Sequence, residues 1–373
     1  MQKTDLINAL AEDPHSYLKE IKQKNAAKVI GFVCSYAPEE MILAAGALPV
    51  RLLTATENPH RADLHFQSYG CSLARSILDA ALAGRLDYLD GVVFPHTCDT
   101  IQRLSDIWRI NLPQTFFADV VLPVKLTSPA ARQYLLDVLQ KFRGDLEAKL
   151  GAAISDAALQ DAIRLYNAIR RNLNRINELR RAHPGLISAR DYSDWVTAAM
   201  RMDRAAYLSL LEAFVADREQ AAPGHPASRA KKLVLAGGGC TTPDIYGAIE
   251  EAGGVVVDDD LCMGTRYYEA LADESLAPLP ALADRLITRP VCPAKHAGLT
   301  RRADDLIARV RRAGADGVIF ILLKFCDPHA FDYPYMKEML DRENIPSLLV
   351  EMESDGQAGG QLQTRLETYM EII

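Results

Sequence analysis

The chain of 373 residues contains two stretches of the same pattern, one in each half. Residues 28–53 read KVIGFVCSYAPEEMILAAGALPVRLL, and residues 232–260 read KLVLAGGGCTTPDIYGAIEEAGGVVVDDD. Each runs from an apolar segment of strand length through a cysteine and a proline into a helical pattern that ends at glycine, and a second apolar run follows. Proline fits the first position of a helix, and glycine fits the position after its end. The prolines are Pro38 and Pro243, and the glycines are Gly46 and Gly253. The repeat therefore predicts a strand–helix–strand unit in each half.

The similarity between the halves continues beyond these units. Residues 90–99 read DGVVFPHTCD and residues 316–327 read DGVIFILLKFCD, so both run from Asp-Gly through a β-branched segment to Cys-Asp. Short apolar runs that alternate with helical patterns are typical of parallel sheets covered by helices on both faces. We therefore predict two similar flavodoxin- or Rossmann-like α/β domains, related by an internal repeat.

The middle of the chain follows another period. Apolar side chains recur every three or four residues from Leu159 to Leu179, which indicates an amphipathic helix, and HPG at 183–185 ends it. More helix is predicted to follow, and AAPGHPAS at 221–228 has the composition of a linker. The expected organisation is an N-terminal helix with the first α/β domain over residues 1–128, a helical insertion with its linker over 129–229, and the second α/β domain over 230–373.

Composition narrows the classes of function. The net charge of −7 argues against nucleic acid as the main partner. The sequence has no run approaching the roughly 18 apolar residues of a membrane span, and its N-terminus lacks the core of a signal peptide. We therefore expect a cytoplasmic protein with no membrane partner. In such a chain, the seven cysteines favour free thiols and metal ligation over a disulfide framework.

Several cysteines follow predicted strands, where ligands of parallel sheets bind. Cys98 and Cys326 each combine a strand end, a following aspartate and a counterpart in the other half. Cys71 opens a helical pattern directly after Gly70, which lets the backbone approach closely. We expect Cys71, Cys98 and Cys326 to converge on the cleft between the halves.

The other cysteines are less informative, because an isolated cysteine is most often a small buried apolar residue. We interpret Cys292 in this way, and packing explains Cys34 and Cys240 about as well as function does. Three thiolates suit zinc if a histidine joins them, and they equally suit an iron–sulfur cluster with one iron left open. The sequence has no CxxC motif, and the residues alone leave both metals open.

Six stretches together resemble one known family, that of the 2-hydroxyacyl-CoA dehydratases and benzoyl-CoA reductases, specifically the 2-hydroxyglutaryl-CoA dehydratase D-component. They span nearly the whole chain. These stretches are CSYAPEEMILAAGALPVRL (34–52), YGCSLARS (69–76), HTCDTIQRLSDIW (96–108), DDDLCMGTRYYE (258–269), KFCDPHAFDYP (324–334) and GQLQTRLETYMEI (360–372).

The resemblance implies two flavodoxin-like domains with a helical insertion, and a 4Fe–4S cluster held by Cys71, Cys98 and Cys326. It implies an acyl-CoA substrate, a related second subunit in a heterodimer, and a separate ATP-hydrolysing iron–sulfur activator that supplies single low-potential electrons. In the dehydratases, the electron enters the thioester carbonyl, and the resulting ketyl radical anion expels the hydroxyl as water. In the benzoyl-CoA reductases, the electron enters the aromatic ring.

We take a 2-hydroxyacyl-CoA dehydratase subunit as the first hypothesis and a benzoyl-CoA reductase subunit as the second. Two hypotheses from other classes are a non-catalytic iron–sulfur electron carrier and a zinc-binding structural protein. The gene neighbourhood, the iron content per chain and the colour of the preparation distinguish among the four.

Two residues beside the first repeated cysteine are candidate catalytic groups. Glu40 lies in the first turn of a predicted helix, where a carboxylate either moves a proton or complements the helix dipole. Ser35 either donates a hydrogen bond to the thioester or caps the turn. Further out, His96 and His329 are candidates for donors to cluster sulfurs or for packing roles, and Arg266 and Lys324 are candidates for contacts with CoA phosphates.

Overall fold

The protein is described here from a computed structural model, which covers residues 7, 10, 13–25, 28–53, 59–113, 115–238, 244–352 and 359–373. Cys240 and Pro243, both named above, lie outside the described residues.

Two four-stranded parallel sheets form the framework of the chain. The first contains β1 (Lys28–Phe32), β2 (Ala47–Arg51), β3 (Gly91–Pro95) and β4 (Phe116–Val120), in the order β2-β1-β3-β4. The second contains β5 (Lys231–Gly237), β6 (Gly254–Leu261), β7 (Gly317–Leu323) and β8 (Ser347–Met352), in the order β6-β5-β7-β8. The strand order is the same in both halves, so the predicted pair of repeated α/β domains is confirmed.

Helices cover the faces of both sheets and form the middle of the chain. In the first half they are α1 (Pro14–Asn25), α2 (Glu39–Ala44), α3 (His60–Asp63), α4 (Ser72–Leu82) and α5 (Asp99–Asn111). The middle contains α6 (Ala131–Leu150), α7 (Asp156–Ala182), α8 (Ala189–Ala199), α9 (Arg204–Ala221) and a 3₁₀ turn (Ala222–Gly224). The second half adds α10 (Ile245–Glu251), α11 (Thr265–Tyr268), α12 (Pro278–Thr288), α13 (Arg301–Ala313), α14 (Asp327–Arg342) and α15 (Gly359–Ile372). None of the described helices has the length and apolar character needed to cross a membrane.

The ends of the repeated unit follow the sequence pattern closely. Gly46 and Gly253 both adopt positive φ angles, of 78° and 87°, directly after α2 and α10, as expected of glycines that follow a helix. The helix α2 begins one residue later than predicted, because Pro38 precedes its first residue. The ψ angle of 77° at Pro38 is not helical, and its carbonyl accepts a hydrogen bond from the Met41 N–H, so α2 begins at Glu39.

The long helix α7 contacts both halves. Its apolar face, between Leu159 and Leu179, is buried as the periodicity predicts. The same helix also buries polar side chains, among them Arg170 and Arg180, which reach the first and the second half respectively. Contacts therefore cross both predicted domain boundaries, at residues 128 and 229, and those boundaries stay predictions.

Candidate functional site between the two sheets

Three cysteines occupy equivalent positions at the start of three helices. Cys71 immediately precedes α4, Cys98 precedes α5 and Cys326 precedes α14. Serine, threonine, aspartate and asparagine are the usual side chains at this position, because their oxygen accepts a hydrogen bond from the first turn. None of the three thiols accepts a capping hydrogen bond of good geometry. In each case, however, the backbone N–H three residues further on acts to lower the thiol pKa; these groups belong to Ala74, Ile101 and His329. The three positions therefore present sulfur atoms in place of the usual capping groups.

The structure brings these three thiols together, two from the first half and one from the second. Cys71 belongs to an apolar cluster against which Cys98 and Cys326 also pack. Burial raises the pKa of the Cys98 thiol to about 12, and a charge on Cys71 adds to that shift. Burial also raises the pKa of Cys326 well above its ordinary value, and Cys71 and Cys98 contribute. Thiols whose charges affect one another's pKa lie close together in the fold.

The spacing of side chains in this neighbourhood bears on the kind of metal site. Among the described residues, no group of three or more His, Cys, Asp or Glu side chains is arranged to hold one metal ion. A single zinc ion needs its ligands gathered around one atom, whereas a 4Fe–4S cluster binds each cysteine through a different iron and so holds the thiolates farther apart. Cys71, Cys98 and Cys326 are free thiols at one largely apolar cluster of side chains.

The backbone around Cys326 is unusual. Phe325 has a φ of 62°, a conformation that non-glycine residues seldom adopt and that costs of order 1 kcal/mol or more. Its side chain is nevertheless partly exposed, and Lys324 lies over its ring at 5.5 Å. This strained residue turns the chain from β7 into α14 and sets the position of the neighbouring thiol.

His329 is a polar neighbour of the Cys326 sulfur. The His329 Nδ1 atom lies 3.2 Å from Cys326 Sγ, and its Nε2 atom lies 3.4 Å from an Arg266 nitrogen. Burial and the charges of Arg266 and Arg302 lower the pKa of His329 to about 3, so the imidazole is neutral. A neutral ring can donate one hydrogen bond, and Cys326 Sγ is within reach. His96, in contrast, pairs with Asp119 at 2.9 Å.

A cavity of about 440 Å³ opens beside Cys98. Residues from both halves line it: Thr97–Thr100, Val124, Pro293–His296, Asp327, Pro328, Phe331 and Asp332. Lys295 is buried in its wall, whereas Phe331 is 85% exposed at its edge. The cavity therefore reaches from solvent to one of the three thiols, as access for a ligand requires.

Ser35 is held by an arginine from the second half. Arg289 Nη1 donates to the Ser35 carbonyl at 2.6 Å, and Arg289 Nη2 donates to the Ser35 hydroxyl at 3.2 Å. Because the hydroxyl oxygen accepts this bond, its own hydrogen is left for another acceptor. This arrangement leaves the Ser35 hydroxyl able to donate a hydrogen bond, one of the two roles that the sequence suggested for it.

Glu40 has a partner that the sequence did not indicate. Arg170 of α7 donates to Glu40 Oε1, and both side chains are buried. Although burial opposes ionisation, Arg170 and Arg285 lower the pKa of Glu40 below its ordinary value. The carboxylate is thus ionised and held in an ion pair between the first half and the insertion. No local pattern could reveal this pair, because its members are far apart in the chain.

Two buried arginines, Arg51 and Arg289, act on the Cys34 thiol. Thr97 Oγ1 donates to Cys34 Sγ at 3.5 Å. Burial alone would raise the pKa of Cys34, but the charge of Arg51, the Thr97 hydrogen bond and the charge of Arg289 lower it below its usual value. Arg51 ends a strand in LPVR, a position that could have marked it as a residue of the ligand-binding edge.

The position of Arg266 does not suit the contact with a CoA phosphate that the sequence suggested. It is buried, with its Nε 2.9 Å from Asp260 Oδ1, and it donates to the carbonyls of Gly237 and Asp260. A guanidinium that is engaged inside the chain in this way is out of reach of a CoA phosphate, so the structure lends no support to that role.

The framework and the site together define a class: a protein of two parallel α/β units in which thiols from both halves meet at one apolar cluster. The family model of the 2-hydroxyglutaryl-CoA dehydratase D-component matches residues 34–373, and the chain belongs to that family. The family resemblance noted in the sequence is thereby confirmed.

Relatives of this chain include subunits of two dehydratases and of a reductase. It is 30% identical to the beta subunit of (R)-2-hydroxyglutaryl-CoA dehydratase from Acidaminococcus fermentans, over 98% of this chain and all of the relative. It is 26% identical to the beta subunit of (R)-phenyllactyl-CoA dehydratase from Clostridium sporogenes, over 98% of this chain and 96% of the relative. It is 27% identical to a subunit of benzoyl-CoA reductase from Thauera aromatica, over 86% and 84% respectively. The chain is therefore related to enzyme subunits along nearly its whole length.

Proposed function

We propose that the chain is the iron–sulfur subunit of the catalytic component of a 2-hydroxyacyl-CoA dehydratase. The observation that carries the proposal is the convergence of Cys71, Cys98 and Cys326, each of which lies at the start of a helix. Two relatives named as dehydratase beta subunits, which match almost end to end, support the reaction class.

In this proposal, the three thiolates hold a 4Fe–4S cluster. Such a cluster supplies one-electron chemistry at low potential and, with only three protein ligands, an iron with an open position. The residues fit this group because their thiols form no disulfide and lie close together at an apolar cluster of side chains. His329, neutral and 3.2 Å from Cys326 Sγ, donates to that sulfur and fixes its position.

The chain's own residues have three further tasks. The cavity beside Cys98 admits the acyl thioester, and its wall from both halves limits access of water. Ser35, held by Arg289, donates its free hydrogen to the thioester carbonyl. Lys295, whose pKa is lowered mainly by burial, lines the same cavity with Thr97 and completes its polar side. The reaction expels the 2-hydroxyl of the substrate as water.

The relatives also bear on assembly. They are named as single subunits of larger enzymes, the dehydratase relatives as beta subunits, which supports a second subunit for this chain. We include in the proposal an ATP-dependent activator as the source of electrons. The chain alone is then a poor enzyme, because a radical intermediate needs a partner that closes the site against water and oxygen.

Removal of single thiols tests the cluster. After anaerobic purification, Cys71→Ser, Cys98→Ser and Cys326→Ser should each lose most of the iron, the sulfide and the brown absorbance. Cys292→Ser is the matched control and should keep all three. Full iron retention in Cys326→Ser would contradict the assignment, and a colourless wild-type protein that contains zinc would replace it with the structural alternative.

One observation favours a second candidate, a subunit of benzoyl-CoA reductase. The Thauera aromatica reductase subunit matches 86% of this chain at an identity similar to that of the dehydratases. A panel of 2-hydroxyacyl-CoAs and benzoyl-CoA, assayed with the partner subunit and activator, decides between them. Ring reduction without dehydration would assign the chain to the reductase.

A further inference from the structure

Arg51 is a buried cation whose charge has no described counterpart. It ends β2, and only 3% of its surface is exposed. Its Nε and Nη1 atoms have no hydrogen-bond partner among the described residues, and no described carboxylate lies within ion-pair distance of it. Arg170 and Arg204, which are equally buried, each pair with a glutamate. Arg285 and Arg289, also buried, donate to backbone carbonyls instead of a carboxylate. Arg51 therefore stands out by its two N–H groups without an acceptor.

The surroundings of Arg51 are built from all three parts of the chain. Its own backbone N–H donates to the carbonyl of Met200 in the insertion, and its guanidinium lies 5.8 Å from the Phe32 ring in the first half. Burial raises the pKa of the Cys34 and Cys262 thiols, and the charge of Arg51 is the strongest influence that lowers both. Cys262 belongs to the second half of the chain. The guanidinium is therefore at the edge of the sheet where ligands of this fold bind.

A second buried cation adds to the imbalance. Arg201 is also buried, its guanidinium donates to the carbonyl of Leu53, and no described carboxylate pairs with it. Its charge and that of Arg51 interact unfavourably. Removal of an unpaired ion from water costs several kcal/mol, so two such cations near each other call for an anion that the described chain does not supply.

We propose that Arg51 is the donor of a buried subsite for a carboxylate group, which belongs either to the far end of an acyl chain or to a free carboxylic acid. The subsite rests on the proposed function, because it lies along the same sheet edge as the site for the thioester. The strands β2 and β3, separated by β1, are about 10 Å apart, a distance that a short acyl chain and the long Arg51 side chain can bridge together.

The chemistry favours a carboxylate over a phosphate. A buried phosphate dianion needs more positive charge and more donors than Arg51 and its neighbour provide, whereas a carboxylate carries a single charge and can accept from one of the unpaired N–H groups. Arg51 would then determine specificity: it would select acyl groups that end in a carboxylate over apolar acyl groups of the same length.

Binding of unreactive thioesters tests the subsite without turnover. Succinyl-CoA and butyryl-CoA have the same length and differ in the terminal carboxylate, and neither carries a 2-hydroxyl. By anaerobic calorimetry on the assembled protein, the wild type should bind succinyl-CoA roughly 10- to 100-fold more tightly, as a charge-assisted hydrogen bond to a carboxylate implies. Arg51→Met should abolish that preference and leave butyryl-CoA binding unchanged, whereas Arg164→Gln, at an exposed site on α7, should keep it.

The outcomes separate the subsite from the proposed function. Equal binding of the two thioesters by the wild type, or a preference that persists in Arg51→Met, would overturn the subsite and leave the function standing. If no thioester binds, the proposed function fails, and binding of free succinate then tests the subsite alone. Succinate binding that is lost in Arg51→Met supports the subsite, and no succinate binding by the wild type overturns it. Arg51→Met should also fold and melt no lower than the wild type without ligand. A large loss of stability in that variant would instead assign Arg51 to an ion pair within the chain.

Discussion

The buried ion pair between Glu40 and Arg170 offers the sharpest test of how this site is held together. Glu40→Gln preserves the size of the side chain and removes its charge, so Arg170 is left buried beside an amide. Arg170 keeps a hydrogen bond to Asn167 at 3.3 Å and a position over the Tyr166 ring, which offsets part of the loss. Breaking one partner of a buried pair typically costs about 3–5 kcal/mol, and we expect about 3 kcal/mol here.

This cost converts into a measurable shift of melting temperature. Unfolding entropies near 2.1 cal/mol/K per residue give about 0.8 kcal/mol/K for a chain of this length, so Glu40→Gln should lower the melting temperature by about 4 °C. Arg170→Met should have a similar effect. The double variant should be less destabilised than the sum of the two, because it removes both charges of the pair together. Asp161→Asn, which removes an exposed partner of Arg164 on the same helix, should change little.

The same variants decide whether Glu40 moves protons. If its role is structural, Glu40→Gln protein should retain its cluster absorbance and most of its turnover at temperatures well below melting. A melting temperature within about 1 °C of the wild type, combined with a loss of turnover of roughly 100-fold, would refute our reasoning and restore Glu40 as a proton carrier.

Three other predictions follow from particular backbone and charge environments. Gly237→Ala should prevent stable folding, because φ is 140° there and a Cβ would lie 1.9 Å from the Ile321 carbonyl oxygen. Its control, Gly144→Ala, is at an open helix position and should raise the free energy of unfolding by up to about 1 kcal/mol in urea titrations. Burial raises the pKa of Asp260, but the neighbouring arginines lower it to about 2, so the ionised carboxylate stabilises the fold fully above pH 3.8. The difference in unfolding free energy between the wild type and Asp260→Asn should therefore shrink as the pH falls from 4 to 2. Phe325→Gly should relieve backbone strain yet loosen the cluster site, seen as faster iron loss to a chelator at an unchanged or raised melting temperature.

The framework could be predicted from the sequence because its signals are local and occur twice. Parallel strands are recognisable as apolar runs, and the glycines after α2 and α10 have positive φ angles as the pattern requires. The position of Pro38 differs from the prediction by one residue, since the start of a helix depends on dihedral angles that composition does not determine. The order of strands within each sheet is a property of pairing and is visible only in the structure.

The site was predictable only in part. Cys98 and Cys326 stand out because the repeat places both after matching strands, but the family resemblance is needed to combine them with Cys71 as cluster ligands. Sequence reasoning misses Arg289 and Arg51, because their importance lies in what surrounds them after folding. An arginine that is buried without a partner has the same letter in the sequence as one exposed on a surface helix, and only its environment distinguishes them.

The insertion explains how thiols from two separate halves are kept in register. Arg170 of α7 pairs with Glu40 after β1, and Arg180 of the same helix pairs with Asp259 on β6. Ten residues of α-helix are about 15 Å long and stiff, so the two pairs fix the distance between the sheets through one rigid element. Because Cys98 belongs to the first half and Cys326 to the second, any rotation of one half against the other would separate these thiols. Apolar contacts alone resist such sliding weakly, since they are not directional, whereas buried ion pairs are lost when their partners move apart. The charged side chains along α7 thus determine the geometry of a site that none of them touches.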